Sequence, residues 1–493
     1  MGVADSLADF FAFDEHDTDL GTETTAGATT FLAMAYIIVV NPSILAPAIV
    51  GGFPEDGQVP TTEIAGETYG FFQVVEMLTV VTILASVVAI LVMALYANRP
   101  FGLAPGLGLN AFFAFTVVLG LGVPWQVALA AVFVEGVIFI ALTAVGAREY
   151  VIRLFPEPVK FAVGAGIGVF LLFLGLQEMQ VVVADDATLV TLGNVLRSPV
   201  AALSLLGLAV TLVLYARGIR GAIVTGVLGT AAAGYALTLA GVVEGGVLDA
   251  DGTVAQVERE GLGSLVFGVQ YDFTPLVVGF LDGLGLVLED PLVFAFVVFT
   301  FFFVDFFDTA GTLIGVSQRA GFLDENGDLP DMNEPLMADA VGTTLGGMMG
   351  TSTVTTYIES ATGVEEGGRT GFTALVVGLL FALSLAVVPL VQAIPTYATY
   401  IALVVVGIIM LQGVADIDWS DPAWAISGGL TVTVMPLTVS IANGLAAGIM
   451  SYPVVKAAVG ERRDVSPGQW TLAAVFVVYF AVFFAADAEL FGF

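Results

Sequence analysis

Cysteine is absent from this 493-residue chain, and lysine is nearly absent. Without cysteine the protein forms neither disulfide bonds nor thiolate metal sites. Lysine occurs only at Lys160 and Lys456, and the 13 basic residues face 45 aspartates and glutamates. The formal net charge of -32 repels nucleic acids, which excludes them as partners. Such an acidic, lysine-poor surface indicates a halophilic organism, although a set of acidic solvated loops is a simpler interpretation.

Charged residues of either sign are also scarce, at 12% of the chain, whereas hydrophobic residues make up 58%. Apolar residues are contiguous, and no charge interrupts residues 80–95, 163–176 or 476–486. Runs of this kind fit bilayer spans of roughly 20 residues. Strands of a transmembrane barrel alternate in polarity, whereas these runs are apolar on every face. We therefore predict an all-α, multi-pass protein of the cell membrane, in contact with the lipid bilayer.

The apolar segments fall into two groups of seven. The first group comprises residues 24–45, 74–97, 106–121, 124–146, 159–176, 199–215 and 221–241. The second comprises residues 292–316, 335–349, 351–364, 370–391, 397–414, 423–435 and 441–459. Because seven is odd, the second half enters the membrane from the opposite side, which predicts the 7+7 inverted repeat of secondary transporters. A further apolar run, 470–486, either crosses the membrane or lies along its surface.

The distribution of basic residues supports this topology. Short cytoplasmic loops collect arginine and lysine, and an acidic amino terminus without the basic region of a signal peptide is expected to stay uncleaved and cytoplasmic. With that orientation only Arg197 and Arg259 lie outside. The basic residues that fall inside are Arg99, Arg148, Arg153, Lys160, Arg217, Arg220, Arg319, Arg369, Lys456, Arg462 and Arg463. If a span had been missed or wrongly added, the basic residues that follow it would fall on the other side of the membrane, and this asymmetry would be lost.

The third span of each half is a poor helix. Residues 102–110 read GLAPGLGLN and residues 350–359 read GTSTVTTYIE. Glycine, proline and threonine weaken helices, and unpaired backbone groups facing lipid cost several kcal/mol, so irregular backbone at membrane depth lines a cavity. Broken segments at corresponding places in two halves predict a binding site at the midplane. Close helix packing through small residues is the alternative.

Two aspartates interrupt the eighth span. Asp305 and Asp308 are three residues apart, which places them on one helix face. Each costs roughly 2.5 to 3.5 kcal/mol to insert, which indicates a function. Burial and a like-charged neighbour favour the neutral form of such a carboxyl group, so the pair can carry a proton. The alternative is that one of the two, Asp308 rather than Asp305, only caps or bonds a neighbouring helix end, although the same interpretation is open for Asp305.

Glu359 and Asn110 hold comparable places in the two broken spans. Glu359 opens a half-helix, where amide donors favour a carboxylate, and Asn110 either binds a ligand or caps its own half-helix. Carboxylate acceptors beside an amide suit a neutral heterocycle rich in N–H groups better than an inorganic anion. Glu135, in the middle of the fourth span, is given no role.

Four segments resemble the AzgA-like hypoxanthine/guanine permeases of the nucleobase:cation symporter superfamily, which share the uracil-permease fold. The segments are residues 21–45 (GTETTAGATTFLAMAYIIVVNPSIL), 104–113 (APGLGLNAFF), 303–315 (FVDFFDTAGTLIG) and 350–364 (GTSTVTTYIESATGV). The resemblance implies fourteen spans in core and gate domains, short strands in spans 3 and 10, and a purine bound between them. It also implies proton-coupled import, frequently by a homodimer. The family's essential residues correspond to Asn110, Asp305, Asp308 and Glu359.

These expectations divide the chain into an acidic cytoplasmic tail (1–20), core (21–146), gate (147–243), acidic outer connection (244–291), core (292–391) and gate (392–493). Asp305, Glu359 and Asn110 are predicted to bind the purine base, and Asp305, Asp308 and Glu359 to couple proton movement. No cofactor or metal is expected. Sodium is an alternative coupling ion, and an anion exchanger or channel is the alternative function. An enzyme is disfavoured because the spans carry no zinc-protease, Ser/Lys or Gly-Asp motif.

Overall fold

The computed structural model describes residues 3–53, 59–146, 155–185, 188–244, 247–248, 271–322, 329–388, 391 and 393–491. The chain divides into two compact units. The first unit consists of Met1–Ala144 and Leu174–Val405, and the second of Val145–Phe173 and Val406–Phe493.

The amino-terminal part of the first unit is helical with three short strands. Its helices are α1 (Val3–Phe10), α2 (Leu20–Met34), α3 (Ile37–Val50), α4 (Phe71–Val92), α5 (Leu107–Ala111) and α6 (Trp125–Ala144), and its strands are β1 (Thr61–Ile64), β2 (Glu67–Gly70) and β3 (Leu103–Pro105). Two π-helical stretches, Met93–Ala97 and Phe112–Gly120, extend α4 and α5. Helix α2 begins at Leu20 because the Asp19 carboxylate accepts hydrogen bonds from the backbone of Thr22 and Gly21, which lower the pKa of Asp19.

The remaining elements follow in chain order. The strands are β4 (Val182–Asp185), β5 (Leu189–Leu192) and β6 (Val354–Thr356). The helices are α7 (Glu157–Glu178), α8 (Pro199–Ala216), α9 (Ala222–Leu239), α10 (Thr274–Leu286), α11 (Pro291–Ala320), α12 (Asn333–Met349), α13 (Ser360–Glu365), α14 (Gly371–Ser384), α15 (Thr396–Thr399), α16 (Ile401–Met410), α17 (Pro422–Leu437), α18 (Ile441–Ala458) and α19 (Pro467–Phe491). Short 3-10 turns occupy Leu385–Val387, Leu411–Asp416 and Arg462–Asp464.

Within the described residues, seven helical stretches are long and apolar enough to cross a membrane. They are Leu20–Val50, Phe71–Ala97, Trp125–Ala144, Glu157–Glu178, Pro199–Ala216, Ala222–Leu239 and Thr396–Asp416. Shorter apolar helices are Leu107–Gly120, Thr274–Leu286, Pro291–Phe306, Gly371–Ser384 and Pro467–Val478. The protein is thus a multi-pass membrane protein, as the apolar runs predicted, while the count of fourteen spans and the core and gate domains stay predictions.

Two segments contain ordered elements that the sequence analysis did not describe. The region 244–291, expected to be an acidic connection, contains helix α10, which packs on α6 through Gly279 and Gly283, where side chains would overlap Trp125 and the Gln126 carbonyl. The tail 1–20, expected to be merely acidic, forms α1 and then buries Phe11 and Phe13 against α14. In both cases a few small or aromatic residues among many acids decide the packing.

Close contact between α6 and α12 sets the position of the fourth span. A Cβ atom on Gly136 would lie 2.7 Å from the backbone nitrogen of Thr344, and one on Gly347 would lie 2.9 Å from the backbone nitrogen of Phe133. Glycine at these positions lets the two helix backbones approach each other. The neighbour of Gly136, Glu135, is therefore held firmly inside the unit.

Candidate functional site

The two broken spans pair with each other through their backbones. Strands β3 and β6 are antiparallel, with Leu103 opposite Thr356 and Pro105 opposite Val354. The ladder continues beyond the strands, because the Gly106 N–H donates to the Thr353 carbonyl over 3.0 Å. This pairing satisfies backbone groups that could not face lipid. The strands that the resemblance implied in spans 3 and 10 are therefore present.

Each strand leads directly into a helix. Helix α5 begins two residues after β3, and α13 begins at Ser360, four residues after β6. We call residues 102–110 the first break and residues 350–359 the second break, and the place where they pair the crossing. Hydrogen bonds join the two breaks there. The Tyr357 hydroxyl donates to the Pro105 carbonyl over 2.5 Å, and the Gly102 N–H donates to the Ser360 hydroxyl over 3.0 Å. Gly106 permits this approach, since a Cβ atom there would lie 2.6 Å from Cγ2 of Thr355.

Asn110 is buried at the crossing. The Ser352 hydroxyl, from the second break, donates a hydrogen bond to the Asn110 side-chain carbonyl. The amide nitrogen of Asn110 is buried and has no hydrogen-bond partner among the described residues. Asn110 thus presents two unpartnered N–H donors, while its carbonyl oxygen already accepts one hydrogen bond.

Glu359 stands at the first residue before α13 and is half-buried. The Tyr36 hydroxyl donates to Oε1 of Glu359 over 2.7 Å. Tyr36 lies in the two-residue interval between α2 and α3, where the backbone keeps right-handed helical angles. Asp308, likewise half-buried, interacts electrostatically with Glu359. One side of the site therefore carries two carboxyl groups that retain some exposure.

Asp305 lies in a different environment. Its side chain is fully buried, and the Thr309 hydroxyl lies 3.2 Å from its Oδ1. The same hydroxyl lies 3.0 Å from Oδ2 of Asp339 and 2.7 Å from the hydroxyl of Thr355 in β6. A hydroxyl carries one hydrogen, so Thr309 can satisfy only one of these acceptors at a time. Asp305 thus belongs to a buried hydrogen-bond network joining α11, α12 and β6.

Asp339 and Glu135 complete this network. The Thr356 N–H donates to Oδ1 of Asp339 over 2.8 Å, which fixes the end of β6. Glu135, from α6, is fully buried and interacts electrostatically with Asp305. The Thr353 hydroxyl lies 3.5 Å from its Oε2.

The structure brings the predicted residues together in three places. Asn110 joins the second break through Ser352, Asp308 lies near Glu359, and Asp305 lies among buried acids. Their binding and coupling roles stay predictions. Asp305 and Glu359, predicted to contact one purine together, belong to separate hydrogen-bond networks.

Several residues of the site escaped the sequence analysis. Asp339 lies inside a predicted span, and an ionisable residue within a span is itself a signal of function. Asn41, whose amide donates to Thr82 over 2.7 Å and to Thr351 over 3.0 Å, gives a similar though weaker signal. Tyr36 gave none, because tyrosine is ordinary in apolar helices.

Glu23 is a buried acid with a structural role. Its carboxylate accepts hydrogen bonds from the backbone N–H of Arg369 over 2.9 Å and from the hydroxyl of Thr373 over 2.6 Å. Glu23 therefore caps the start of α14 from the second helix. Its presence within residues 21–45 contributes to the fold rather than to the site.

The family is established by comparison with known proteins. A model described as a permease family matches residues 21–447. The protein therefore belongs to this permease family, which is a family of transporters rather than of enzymes. The resemblance found in the four sequence segments is confirmed.

Similar proteins match over nearly the whole length of the chain. A Methanocaldococcus jannaschii protein named as a permease, MJ0326, is 42% identical over 96% of this chain and 97% of its own. The guanine/hypoxanthine permease PbuG of Bacillus subtilis is 39% identical over 96% and 98%. The adenine permease AdeP of Escherichia coli is 37% identical over 95% and 94%.

A solved structure shares the fold. The transmembrane domain of a cyanobacterium bicarbonate transporter, BicA, aligns with a TM-score of 0.52 at 14% identity, over 87% of this chain and 97% of that chain. At so low an identity the likeness concerns the fold alone, which is that of a membrane transporter.

Proposed function

We propose that this protein is a secondary active transporter that imports a purine nucleobase, hypoxanthine, guanine or adenine, together with a proton. The names of its relatives support the purine, since they include guanine/hypoxanthine and adenine permeases. The observation that carries the proposal is the crossing of the two broken spans. There an unpartnered amide donor on Asn110 lies on one break and the half-buried Glu359 carboxylate on the other.

The chemistry of these groups matches a purine base. Glu359 accepts ring or exocyclic N–H groups of the base, and Asn110 donates from the opposite break to a ring nitrogen or carbonyl oxygen. Asp305 is a third binding candidate. Its full burial favours the proton-coupling role that the sequence also assigned to it, which it shares with Asp308 and Glu359.

Transport requires the site to open alternately to the two sides of the membrane. The proposed core consists of spans 1–4 and 8–11, residues 21–146 and 292–391, and moves against a gate formed by residues 147–243 and 392–493. Inverted repeats with broken helices at the site commonly work in this way. Fourteen spans, a cytoplasmic amino terminus and a homodimer are parts of the same proposal.

An anion is a poorer ligand for these groups. Carboxylates on α11 and α13 repel sulfate or bicarbonate, and the unpartnered Asn110 amide alone offers little compensation. The fold shared with a bicarbonate transporter does not favour the anion, because that likeness does not extend to the residues of the site. Coupling to sodium instead of protons is tested by imposing a sodium gradient and a proton gradient separately and asking which one drives uptake.

Uptake of labelled hypoxanthine by the purified protein in proteoliposomes tests the proposal. Unlabelled purines, pyrimidines, sulfate and bicarbonate serve as competitors, and proton and sodium gradients are imposed separately. We expect purines alone to compete and a proton gradient to drive accumulation. Asp305→Asn and Glu359→Gln should abolish accumulation, whereas Glu76→Gln, a matched change in α4, should retain it. Competition by sulfate but not by purines, or wild-type rates in both site variants, would refute the proposal.

A further inference from the structure

Three fully buried acids meet behind strand β6. Glu135 comes from α6, Asp305 from α11 and Asp339 from α12, and none of the three has exposed surface. Among the described residues, the salt bridges involve other acids, so no arginine or lysine neutralises this cluster. Three negative charges at such depth would repel one another strongly. Some of these carboxyl groups must therefore hold protons.

The hydrogen bonds indicate which groups hold them. Both oxygens of Asp339 have donors, since Oδ1 accepts from the Thr356 N–H over 2.8 Å and Oδ2 lies 3.0 Å from the Thr309 hydroxyl. Oδ2 of Asp305 and Oε1 of Glu135 are buried without any donor in the described part of the chain. The unsatisfied oxygens thus belong to Glu135 and Asp305.

These two carboxyl groups are neighbours and interact electrostatically. Two ionised carboxylates are acceptors only and cannot hydrogen-bond to each other, whereas a carboxylic acid donates its O–H to a carboxylate. One proton between the two groups converts two repelling acceptors into a bonded pair. One proton shared by Glu135 and Asp305 would thus supply the donor that their buried oxygens lack.

We infer that Glu135 and Asp305 form a proton-sharing carboxyl pair and that this pair, rather than Asp305 alone, carries the coupled proton. The inference rests on the proposed proton symport. In the loaded state the pair holds one proton and a charge of about -1. When the site opens to the cytoplasm and water enters, the O–H bond breaks, the proton passes to water, and two hydrated carboxylates remain. Opening to the outside restores the proton.

Among the side chains that the structure describes, the charged groups recorded around the pair are all acidic. Asp308 lies on the same helix as Asp305, Asp339 faces both members of the pair from α12, and Glu359 faces Asp308. These negative charges oppose full ionisation of the pair as long as water is excluded. Release of the proton therefore requires a change of conformation, which is the condition for coupling.

The pair is connected to the candidate purine site through β6. The Thr353 hydroxyl lies 3.5 Å from Glu135, and the Thr353 carbonyl accepts from the Gly106 N–H in the first break. The Thr355 hydroxyl lies 2.7 Å from that of Thr309, which contacts Asp305. Binding of a base between the breaks can thus change the donors available to the pair.

Two measurements distinguish proton coupling from purine binding. Accumulation of hypoxanthine under a proton gradient requires coupling, whereas exchange of internal for external hypoxanthine requires only binding and transport of the base. With one proton per base and the membrane voltage clamped at zero, a gradient of about one pH unit drives about tenfold accumulation of hypoxanthine. Glu135→Gln supplies an N–H that donates permanently to Asp305 and leaves no shared proton. We expect this variant to accumulate no hypoxanthine above the outside concentration. It should still exchange internal for external hypoxanthine, which moves no net proton.

Further variants test whether the two residues act as one unit. Asp305→Asn should lose accumulation in the same way, and the double variant should be no worse than either single variant, because the shared proton is lost only once. Glu135→Asp, which keeps a carboxyl group, should recover part of the accumulation. Glu76→Gln is the matched control and should accumulate hypoxanthine about tenfold, as the wild type does.

The outcomes are separable. If the wild type exchanges hypoxanthine but a proton gradient drives no accumulation, the proposed symport is wrong. If the wild type accumulates hypoxanthine and Glu135→Gln does so equally, the symport stands and the carboxyl pair is refuted. Loss of both exchange and accumulation in Glu135→Gln, without recovery in Glu135→Asp, would assign Glu135 a structural role and also refute the inference.

Discussion

The two broken spans share one backbone arrangement, a short strand followed by a helix, but their side chains differ in polarity. The first, around β3 and α5, is built from apolar residues and glycines, is almost wholly buried, and bears a single amide at Asn110. The second, around β6 and α13, is a run of hydroxyl residues ending in Glu359. The first break continues into helix up to Gly120, whereas α13 ends at Glu365.

Hydrogen bonds explain the difference. Side chains of the second break connect to four other parts of the first unit through the pairs Thr351–Asn41, Ser352–Asn110, Thr353–Glu135 and Thr355–Thr309. The first break contributes to the site chiefly through its backbone hydrogen bonds and the close packing of its glycines. Of two broken spans with the same backbone arrangement, one thus shapes the site and the other links it to buried acids.

The largest expected effect concerns the glycines that open the two breaks. Gly350 has φ of +105°, and a Cβ atom there would overlap that of Leu276. At Gly102 the new Cβ would lie 2.5 Å from Sδ of Met34, a flexible side chain that can move. Gly350→Ala should therefore lower the free energy of unfolding by about 2 to 5 kcal/mol, and Gly102→Ala by about 1 kcal/mol or less.

Melting temperatures in detergent check this prediction. Gly229→Ala, in α9 where a Cβ atom would meet nothing within 4 Å, is the control and should leave the melting temperature unchanged or raised. Equal losses at Gly350 and Gly102 would contradict the proposed difference between the two breaks.

A smaller effect is expected at the contact between the breaks. Ser352→Ala removes the donor to the buried Asn110 carbonyl and should cost about 1 to 3 kcal/mol of stability. Ser384→Ala removes a hydroxyl that donates over 2.9 Å to the Leu380 carbonyl within its own helix, so its effect should be slight. Thermal unfolding of both variants measures the difference. Similar melting temperatures would show that the Ser352 contact contributes no more than the Ser384 hydrogen bond within its own helix.

The smallest effect is expected at Tyr36. Tyr36→Phe removes the 2.7 Å hydrogen bond to Glu359 but keeps the ring, which should weaken hypoxanthine binding about 3- to 10-fold because the carboxylate is no longer held in place. Tyr235→Phe removes a comparable 2.6 Å bond to the Ala393 carbonyl, away from the breaks, and should bind normally. Calorimetric titration compares the two. Equal affinities would exclude an orienting role for Tyr36.

Sequence patterns predicted the membrane helices and the two breaks well, because an apolar run must be helical in lipid and glycine, proline and threonine mark irregular backbone. Sequence patterns could not predict contacts between residues that are far apart in the chain. Tyr36 and Glu359 are 323 residues apart, and only folding brings them together. Similarly, spacing placed Asp305 and Asp308 on one face of α11. Their separation into a buried acid and a half-buried one depends on what α6 and α12 bring alongside them.

Equilibrium binding of hypoxanthine to Asn110→Ala and Glu359→Gln, compared with the wild type in detergent, tests most directly whether both breaks contact one purine. The account predicts that the wild type binds and that each variant, titrated at a temperature at which it is still folded, binds at least about tenfold more weakly, as expected for loss of a hydrogen bond in a charged site. Wild-type affinity in either variant would contradict it.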